Sequence, residues 1–350
     1  MSKKQENRPS IIGHGGRLLP AVQVDTYNEE LRDAQGFVGD HASKGAFRKI
    51  LDDWRRQIGA HGEDPFGDTP TDEISKSKLD EILEGPDPVA AGLVHTAIEE
   101  FAKALTDVTE RFLGLESWKK TERIVVGGGM SGSHIGKLAV GRAGVLLADR
   151  GQDVKLATIT HHPDEAGLVG GLYLAPSWIL EGYDAILAAD IGGTNLRVGI
   201  VEVKMKKGAI SKANVWKFLH WRHRDEGPTR DGAMEKMADM ANQLLRNADE
   251  ADLKLAPFFA VGCPGLIDNA GAIQKGAQNL PGNWEDSDFN LAEEVARRLP
   301  RIHGHEPLFV MHNDAVVQGL SECLNMDDVE RWGVFTIGTG LGNARFTNRS

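Results

Sequence analysis

The sequence predicts an α/β protein in which mixed sheets are flanked by helices. Short apolar runs typical of strands alternate with helical patterns, and several of these runs lead directly into glycine-rich turns. The length of 350 residues also exceeds what one ordinary core requires. We therefore expect two lobes, a large one formed by residues 1–165 with 320–350 and a small one formed by residues 166–319.

The helices are predicted from periodicity. Apolar side chains recur at intervals of three and four residues over Val89–Leu115, which indicates an amphipathic helix. Pro163–Ala175 begins with acidic residues and favours a second helix, and a third is expected from about Ala233 to Arg246. Residues 1–60 show no assignable pattern.

The strands are predicted from short apolar runs. Ala185–Val203 contains two such runs separated by a Gly-Gly pair, a pattern that indicates a hairpin. Arg123–Gly132 begins as an apolar strand and continues into glycines, and Lys155–Thr160 is a further candidate. Strands that end in a polar or glycine-rich turn are also predicted within Pro257–Asp268, Leu308–Val317 and Gly333–Phe346.

The composition argues against several classes of function. There are 51 acidic and 40 basic side chains, and the formal net charge of -11 disfavours binding to nucleic acid or anionic membranes. The two cysteines, Cys263 and Cys323, provide no disulfide framework and no zinc-ligand spacing. No apolar run is long enough to cross a bilayer, and the N-terminus lacks the apolar core of a signal peptide. The expected setting is a reduced cytoplasm.

The most informative segment runs from Asp190 to Arg197, where a strand ends in an aspartate and turns through two glycines. Phosphoryl transfer requires backbone amides near the phosphates and an acid that positions Mg²⁺. Asp190 is the candidate for Mg²⁺, through a water molecule. An ordinary hairpin turn is the alternative, although an aspartate inside an apolar strand is unusual for one. The candidate phosphate ligands are Gly192, Gly193, Thr194 and Asn195.

Two further glycine-rich segments support this interpretation. Thr336–Gly342 places a second glycine-rich turn between two apolar strands. Alone it is a weak signal, but together with the first turn it predicts a second phosphate-binding hairpin. The candidates for the terminal phosphates are Gly338, Thr339 and Gly340. A strand also leads into Gly127, Gly128 and Gly129. These can admit an adenine or ribose against bare backbone, with a structural turn as an equally weighted alternative.

A polar pair, Asn313 and Asp314, closes the predicted strand before the last two. A sugar hydroxyl requires a carboxylate within hydrogen-bond reach to accept its proton during attack on the γ-phosphate, and Asp314 suits that role. Asn313 could bond to neighbouring hydroxyls. The alternative is that the pair only caps the following helix, an interpretation that would be favoured without the other motifs.

Together these segments resemble the ROK family (repressor, open reading frame, kinase), which includes bacterial-type glucokinases and related hexose kinases. Asp190–Arg197 is similar to its first phosphate motif, Gly338–Gly342 to its second and Arg123–Gly129 to its adenosine motif. Gly262–Asp268 and Asn279–Trp284 are similar to its sugar-side segments. The resemblance implies a two-lobed actin-like ATPase (ribonuclease H-like) fold, with ATP and Mg²⁺ as cofactors.

The resemblance also implies individual roles. Asp314 would be the catalytic base, and Asn313 a sugar ligand. Asn279 and Gly265 would lie on the sugar side, within the two loops that match the family's sugar segments.

The order of the motifs differs from that of the family. In the family the first phosphate hairpin opens the chain, whereas here Glu122–Ala175, which resembles the family's last stretch, precedes Asp190. If Ser350 is joined to Met1, the second phosphate motif is followed by Ile12-Gly13-His14-Gly15, which resembles the family's Gly-His segment. We therefore predict a circular permutation, with the cut in a surface turn.

The sugar side also departs from the family pattern. Members commonly carry a His-Cys-Cys-Cys zinc site in this region, but no cysteine precedes Cys263, so no structural zinc is predicted. His14 keeps the place of the histidine and is a candidate sugar ligand. Ile11 and Gly39 stand where two sugar-contacting glutamates are expected, with Asp40 as a substitute for the second. These changes place glucose itself in doubt.

The sequence therefore predicts ATP-dependent phosphorylation of a hexose or hexose derivative. MgATP is expected between the two glycine-rich hairpins, and lobe closure is expected to exclude water. The expected partner is a small-molecule sugar, with no nucleic acid and no membrane, and a homodimer is left open.

Three alternatives stay open at this point. A sugar-sensing regulator requires a DNA-binding module, and no basic helix-turn-helix pattern is evident in the first 90 residues. A non-catalytic sugar- or nucleotide-binding relative would be compatible with the missing glutamates. An ATPase of the same superfamily acting on another acceptor is the third.

Overall fold

The computed structural model describes residues 13–299 and 301–349, so the prediction for Ile11 and Ile12 lies outside the described residues. These residues form two compact units. The first unit contains residues 13–23, residues 167–321 and Arg349, and the second contains residues 24–166 and 322–348. The lobes expected from the sequence stay a prediction, and the observed units differ from them most in residues 13–23.

The strands are β1 (Val22–Tyr27), β2 (Arg32–Asp33), β3 (Gly36–Phe37), β4 (Arg123–Gly127), β5 (Lys155–Thr158), β6 (Ala185–Ile191), β7 (Leu196–Lys206), β8 (Ala209–Trp221), β9 (Leu255–Cys263), β10 (Leu266–Ile267), β11 (Ile273–Lys275), β12 (Leu308–Asn313), β13 (Arg331–Ile337) and β14 (Leu341–Asn348). The α-helices are α1 (Lys44–Gly59), α2 (Lys76–Leu83), α3 (Pro88–Leu113), α4 (His134–Asp149), α5 (Ala166–Gly171), α6 (His223–Glu226), α7 (Arg230–Glu250), α8 (Leu291–Arg298) and α9 (Asp314–Leu320). Short 3₁₀ turns occupy Val38–Ala42, Glu116–Trp118, Leu172–Leu174, Ser177–Leu180 and Cys323–Asn325.

The first unit is built on a five-stranded mixed sheet with the strand order β12-β9-β6-β7-β8. β7 is antiparallel to both β6 and β8, whereas β9 is parallel to β6 and β12 is parallel to β9. All seven residues of β6 are buried, because helices cover the sheet on each face. Met234 and Leu244 of α7 join the core on one face, and Gly171 of α5 approaches Ala188 and Ala260 on the other.

The second unit is built on a five-stranded sheet with the order β1-β14-β13-β4-β5. β13 is antiparallel to β14 and parallel to β4, and β4 is parallel to β5. Its core contains the buried face of α3, and three aromatic rings join that helix to the sheet. Phe112 lies 5.1 Å from both Trp118 and Phe335, measured between ring centroids.

The two sheets have the same strand order if the strands of the second are counted from β13. In that count β13, β14, β1, β4 and β5 take the places that β6, β7, β8, β9 and β12 have in the first sheet. In each, a central strand has an antiparallel hairpin partner on one side and parallel strands on the other. The predicted α/β class with mixed sheets flanked by helices is therefore confirmed. The predicted circular permutation stays a prediction.

Several predicted elements agree with the structure within a few residues. The helix predicted over Val89–Leu115 is α3, and the predicted hairpin is formed by β6 and β7. Within Pro163–Ala175 the structure has the short helix α5 followed by a 3₁₀ turn. Residues 1–60, which gave no pattern, contain β1 and α1 among their described part. No helix among the described residues is long and apolar enough to span a membrane.

Gly170 is a position at which a side chain cannot be accommodated. A Cβ atom there would lie 1.6 Å from the carbonyl oxygen of Val317, a backbone atom of α9. We expect Gly170→Ala to lower the free energy of unfolding by about 3 kcal/mol, because the helices must separate. Gly141→Ala in α4 is the matched control, since nothing lies within 4 Å of its Cβ position. We expect this control to be stabilising by about 1 kcal/mol.

Urea denaturation of both variants measures this difference. Equal stability of Gly170→Ala and Gly141→Ala would contradict the close packing of α5 on α9.

Candidate active site

Three parallel strands of the first unit end at one edge of its sheet. The strand register pairs Asp190 with Gly262, and Gly262 with His312, while Cys263 is paired with Asn313. Ligands of α/β proteins bind outside the carboxyl ends of parallel strands. The register therefore brings the predicted motifs at Asp190 and Asn313 to the edge where a ligand site is expected.

Asp190 is only 3% exposed, and its carboxylate is ion-paired. Nη1 of Arg197, the facing residue on β7, lies 3.2 Å from its Oδ2. The N-terminal part of α5 also approaches this carboxylate, because a Cβ atom at Gly167 would lie 2.6 Å from the Asp190 Cγ. Gly167 thus allows a helix to pack directly against the carboxylate.

Asp314 is the first residue of α9 and is partly exposed. Its dense surroundings raise the pKa of its carboxyl group to about 7, because burial disfavours the charged form and the negative charge of Asp190 adds repulsion. A hydrogen bond from the backbone N–H of Ala315 acts in the opposite direction. Asp190 therefore lies close enough to Asp314 to raise the pKa of its carboxyl group.

The side chain of Asn313 is largely occupied by the protein itself. Its Oδ1 accepts hydrogen bonds from the N–H groups of Ala315, at 3.0 Å, and Val316, at 3.4 Å, and so caps α9. Its Nδ2 donates to the carbonyl oxygen of Gly265 at 3.0 Å. The capping role that the sequence left as an alternative is thus observed, and the predicted sugar contact stays a prediction.

Two neighbouring buried groups are held neutral. Burial lowers the pKa of His312 to about 4, so its ring is uncharged at neutral pH. Its Nε2–H donates to the carbonyl oxygen of Gly16, and its Nδ1 accepts from the N–H of Asn313. Burial, followed by the charges of Asp314 and Asp190, raises the pKa of the Cys263 thiol. The carboxylates therefore dominate the charge at this edge.

The predicted sugar-side residues of the first unit lie near these motifs. A Cβ atom at Gly193 would lie 2.9 Å from that of Asn279, so Asn279 packs against the first glycine turn. Gly265 has a φ of +101°, and a Cβ atom there would lie 2.4 Å from the carbonyl oxygen of Lys275. Both the backbone angle and the close approach therefore favour glycine at this position.

His14 packs along β12 in the first unit. Its Nδ1 accepts a hydrogen bond from the N–H of Met311 at 3.3 Å, and its ring centroid lies 5.3 Å from that of Phe309. Burial lowers the pKa of His14, and the charge of Asp268 offsets part of the effect. These packing interactions do not test the predicted contact of His14 with a sugar.

The second unit brings its two glycine turns to one edge of its own sheet. Thr336 is paired with Gly127, and a Cβ atom at Gly128, where φ is +85°, would lie 2.4 Å from the carbonyl oxygen of Ile337. The carbonyl oxygen of Gly338 accepts a hydrogen bond from the N–H of Lys44 at the start of α1. Gly127–Gly129 and the turn at residues 338–340 therefore lie side by side.

Asp40 also belongs to the second unit, in the 3₁₀ turn Val38–Ala42. The preceding Gly39 lies close to Leu341, because a Cβ atom at Gly39 would be 3.0 Å from that of Leu341. The structure thus places Asp40 near the start of β14, and its predicted role toward a sugar stays a prediction.

The sequence predictions missed residues that hold the glycine turns. In the first unit, His223 Nε2 lies 2.8 Å from the carbonyl oxygen of Gly192, and His220 Nε2 lies 2.9 Å from Oδ1 of Asn195. In the second, Asp80 of α2 accepts hydrogen bonds from the first N–H groups of α4, at His134 and Ile135. Nζ of Lys76 donates to the carbonyl oxygen of Gly129. All these contacts join residues distant in sequence, so no local pattern signals them.

Within residues 13–299 and 301–349, no group of three or more His, Cys, Asp or Glu side chains is arranged to hold a metal ion. The predicted absence of a zinc site stays a prediction. Asp190 supplies carboxylate oxygens, which are the ligands that Mg²⁺ prefers, and its predicted role toward Mg²⁺ stays a prediction.

No family model matches the sequence, and no curated protein matches it. Solved structures that are similar include ROK hexokinase from Thermus thermophilus, at 20% identity over 37% of this chain and 35% of that one, with a TM-score of 0.26. A Listeria monocytogenes protein provisionally assigned as an N-acetylmannosamine kinase is 25% identical over 47% of both chains, with a TM-score of 0.30. A provisionally assigned sugar kinase from Cytophaga hutchinsonii is 21% identical over 47% of this chain and 48% of that one, with a TM-score of 0.32.

The present chain spans less than half the length of each of these three proteins. Because the TM-scores are low, the fold is assigned from the strand order and the strand directions of the two sheets.

The raised pKa of Asp314 predicts a stability cost at high pH. The unfolded chain ionises this carboxyl group near pH 4, whereas the folded protein does so only near pH 7, so stability falls as pH rises through that window. We expect Asp314→Asn to increase the free energy of unfolding by roughly 2–4 kcal/mol at pH 8, and by less at pH 5.

Urea unfolding of both proteins at the two pH values measures the difference. Asp288→Asn, at an exposed carboxylate, is the matched control, and we expect it to show no such pH dependence. A stability gain for Asp314→Asn that is equal at pH 5 and pH 8 would contradict the raised pKa.

Proposed function

We propose that the protein catalyses the ATP-dependent phosphorylation of a sugar hydroxyl, with Asp314 as the general base. The observation that carries this proposal is the pKa of about 7 at Asp314, which lies beside Asp190 at the carboxyl edge of a mixed sheet. Perturbed carboxylates at such an edge are typical of catalytic sites.

The environment of Asp314 suits proton transfer at neutral pH. A carboxyl group with an ordinary pKa is too weak a base to accept much of a hydroxyl proton, whereas one near 7 is both ionised and basic at that pH. The attacking hydroxyl oxygen would form the new bond to the γ-phosphorus as Asp314 accepts the proton, while the bond from that phosphorus to the bridging oxygen breaks and ADP leaves. The fixed backbone position of Asp314, set by the cap at Asn313, would hold the carboxylate toward the substrate.

Asp190 is the proposed residue for Mg²⁺, through a water molecule. When bound, Mg²⁺ neutralises charge on the phosphates and orients them. The negative charge of Asp190 contributes to the raised pKa of Asp314, and such a concentration of negative charge favours a divalent cation, which supports the fit. Arg197 holds the Asp190 carboxylate from the β7 side and fixes its orientation.

The glycine-rich turns are the proposed nucleotide ligands. In the first unit these are Gly192–Asn195, and in the second Gly338–Gly340 for phosphate and Gly127–Gly129 for adenosine. The proximity of the last two segments within the second sheet supports a shared role. The common strand order of the two sheets supports the circular permutation. The second sheet matches the first only if its strands are counted from β13 to β14 and then from β1 onward, as if the chain ends were joined.

The proposed substrate is a hexose or a hexose derivative. Asn313, Asn279 and Gly265 are its proposed contacts in the first unit, together with His14, and Asp40 is the proposed contact from the second. The cap occupies both lone pairs of the Asn313 amide oxygen and Gly265 one amide hydrogen, so one amide hydrogen of Asn313 is left for a hydroxyl. Each hydroxyl partner missing from a buried polar site costs about 1–3 kcal/mol of discrimination.

A non-catalytic sugar- or nucleotide-binding protein is the second candidate. The observation that favours it is the engagement of the Asn313 amide by α9 and Gly265, which reduces its capacity for sugar. Turnover separates the two candidates directly.

The first test is ADP release from MgATP in the presence of hexoses, amino sugars and N-acetyl sugars, with Asp314→Asn assayed in parallel. We expect one sugar class to stimulate ADP release, and Asp314→Asn to lower kcat by roughly 10²- to 10⁴-fold, since the general base is lost. Nucleotide binding without stimulation by any sugar would contradict the kinase and favour the binding protein.

The pH dependence of turnover provides a second prediction. Asp314 must be ionised to accept a proton, so kcat/KM for the sugar should rise with pH through about 7 and then level off. Initial rates between pH 5 and 9 measure this profile. A kcat/KM that does not change between pH 5 and 9, as for a base with the usual pKa of an aspartate near 4, would exclude Asp314 with its raised pKa as the base.

A further inference from the structure

The first glycine turn, residues 192–195, is held from outside the hairpin by the end of β8 and the start of α6. Nε2–H of His223 donates to the carbonyl oxygen of Gly192 at 2.8 Å. The N–H of Arg224 donates to the carbonyl oxygen of Thr194 at 3.3 Å. A third bond closes the turn internally, from the N–H of Gly192 to the carbonyl oxygen of Asn195 at 2.9 Å.

These bonds fix the orientation of the peptide groups in the turn. A trans peptide directs its carbonyl oxygen and the following N–H to opposite sides. With the oxygens of Gly192 and Thr194 turned toward the β8 side, the N–H groups of Gly193 and Asn195 face away from it. In the described part of the chain, neither of these N–H groups donates to a protein acceptor. Unpaired N–H groups that face the same side of a turn can bind an anion.

The side chain of Asn195 is oriented by the same segment. Nε2–H of His220 donates to its Oδ1 at 2.9 Å, so the amide oxygen faces β8. The NH₂ group of Asn195 then faces the other way, on the side of the free N–H groups, and has no protein acceptor among the described residues. Two histidines therefore select the donor face of the turn.

The burial of His223 indicates that its hydrogen bond to Gly192 is a fixed part of the structure. The side chain is only 4% exposed and lines an apolar pocket with Ile191, Met234 and Trp284. A carbonyl oxygen can only accept, so Nε2 of His223 carries a hydrogen. A polar ring in an apolar pocket with a single aimed donor indicates a positioning role, since an aliphatic side chain would fill the same space.

We propose that His223 and His220 are positioning residues that orient the turn at residues 192–195 to bind the phosphates of a nucleotide. This inference rests on the proposed function and adds to it. The histidines do not contact the phosphates. They hold carbonyl and amide oxygens away from the anion, whose negative charge those oxygens would repel, and leave the donors facing it.

The test compares His223→Leu, which fills the apolar pocket without a donor, with His223→Gln, whose amide can restore the donor. Binding of MgADP and of adenosine is measured by calorimetry, and thermal unfolding is followed for each variant. We expect His223→Leu to weaken MgADP binding by roughly 3- to 10-fold, as for the loss of one oriented hydrogen bond, and to leave adenosine binding unchanged. His223→Gln should recover most of the MgADP affinity.

Arg222→Gln is the matched control in the same segment. Among the described residues, its exposed guanidinium bonds only to Asp225, so we expect both ligands to bind as in the parent. His220→Leu tests a second position. Because His220 is exposed to solvent, we expect this variant to fold normally. We expect it to reproduce the selective loss of MgADP.

The outcomes separate this inference from the function on which it rests. A parent protein that binds no MgADP would overturn both. A parent that binds MgADP, with His223→Leu and His220→Leu binding it equally well, would overturn the positioning role alone. Equal weakening of adenosine and MgADP would also overturn it, because the histidines would then act through general structure and not through the phosphates.

Discussion

The burial of the Asp314 carboxyl group beside the negative charge of Asp190 is the constraint on which the proposed site depends. Strands β6 and β12 end at one edge of a sheet and hold these carboxyl groups near each other, although neither is fully solvated. Arg197 balances the charge of Asp190, and below about pH 7 a proton balances that of Asp314. The fold thus maintains a basic carboxylate at the expense of its own stability, as functional sites commonly do.

Close packing around this pair is possible because α5 is rich in glycine. Gly167 lies against the Asp190 carboxylate, Gly170 against the backbone of α9 and Gly171 against Ala188 and Ala260. A helix of ordinary side chains would stand farther from the sheet and admit water to the carboxylates, which would lower the pKa of Asp314. The same short helix therefore contributes to both packing and electrostatics.

Much of the candidate site could be predicted from local patterns. Asp190 within an apolar strand, the Gly-Gly turn after it and the polar pair at Asn313 and Asp314 each lie in a strand or at its end, as the sequence indicated. The sequence did not indicate which function Asn313 serves, because an N-cap and a sugar ligand require the same residue type. Nor could it predict the partners of the turn, since His220 lies in strand β8 and His223 just after it, and β8 gave no recognisable pattern.

The sequence by itself determined the α/β class, the hairpin at β6 and β7, and the residue types available for phosphate and proton transfer, because periodicity and turn chemistry are local properties. Only the tertiary structure decided how these residues act on one another. The pKa of Asp314 depends on its burial and on the neighbouring Asp190, and the donor face of the glycine turn depends on histidines that lie more than twenty residues along the chain. Such effects arise from distances between segments, which a sequence does not specify until strand order and register bring them together.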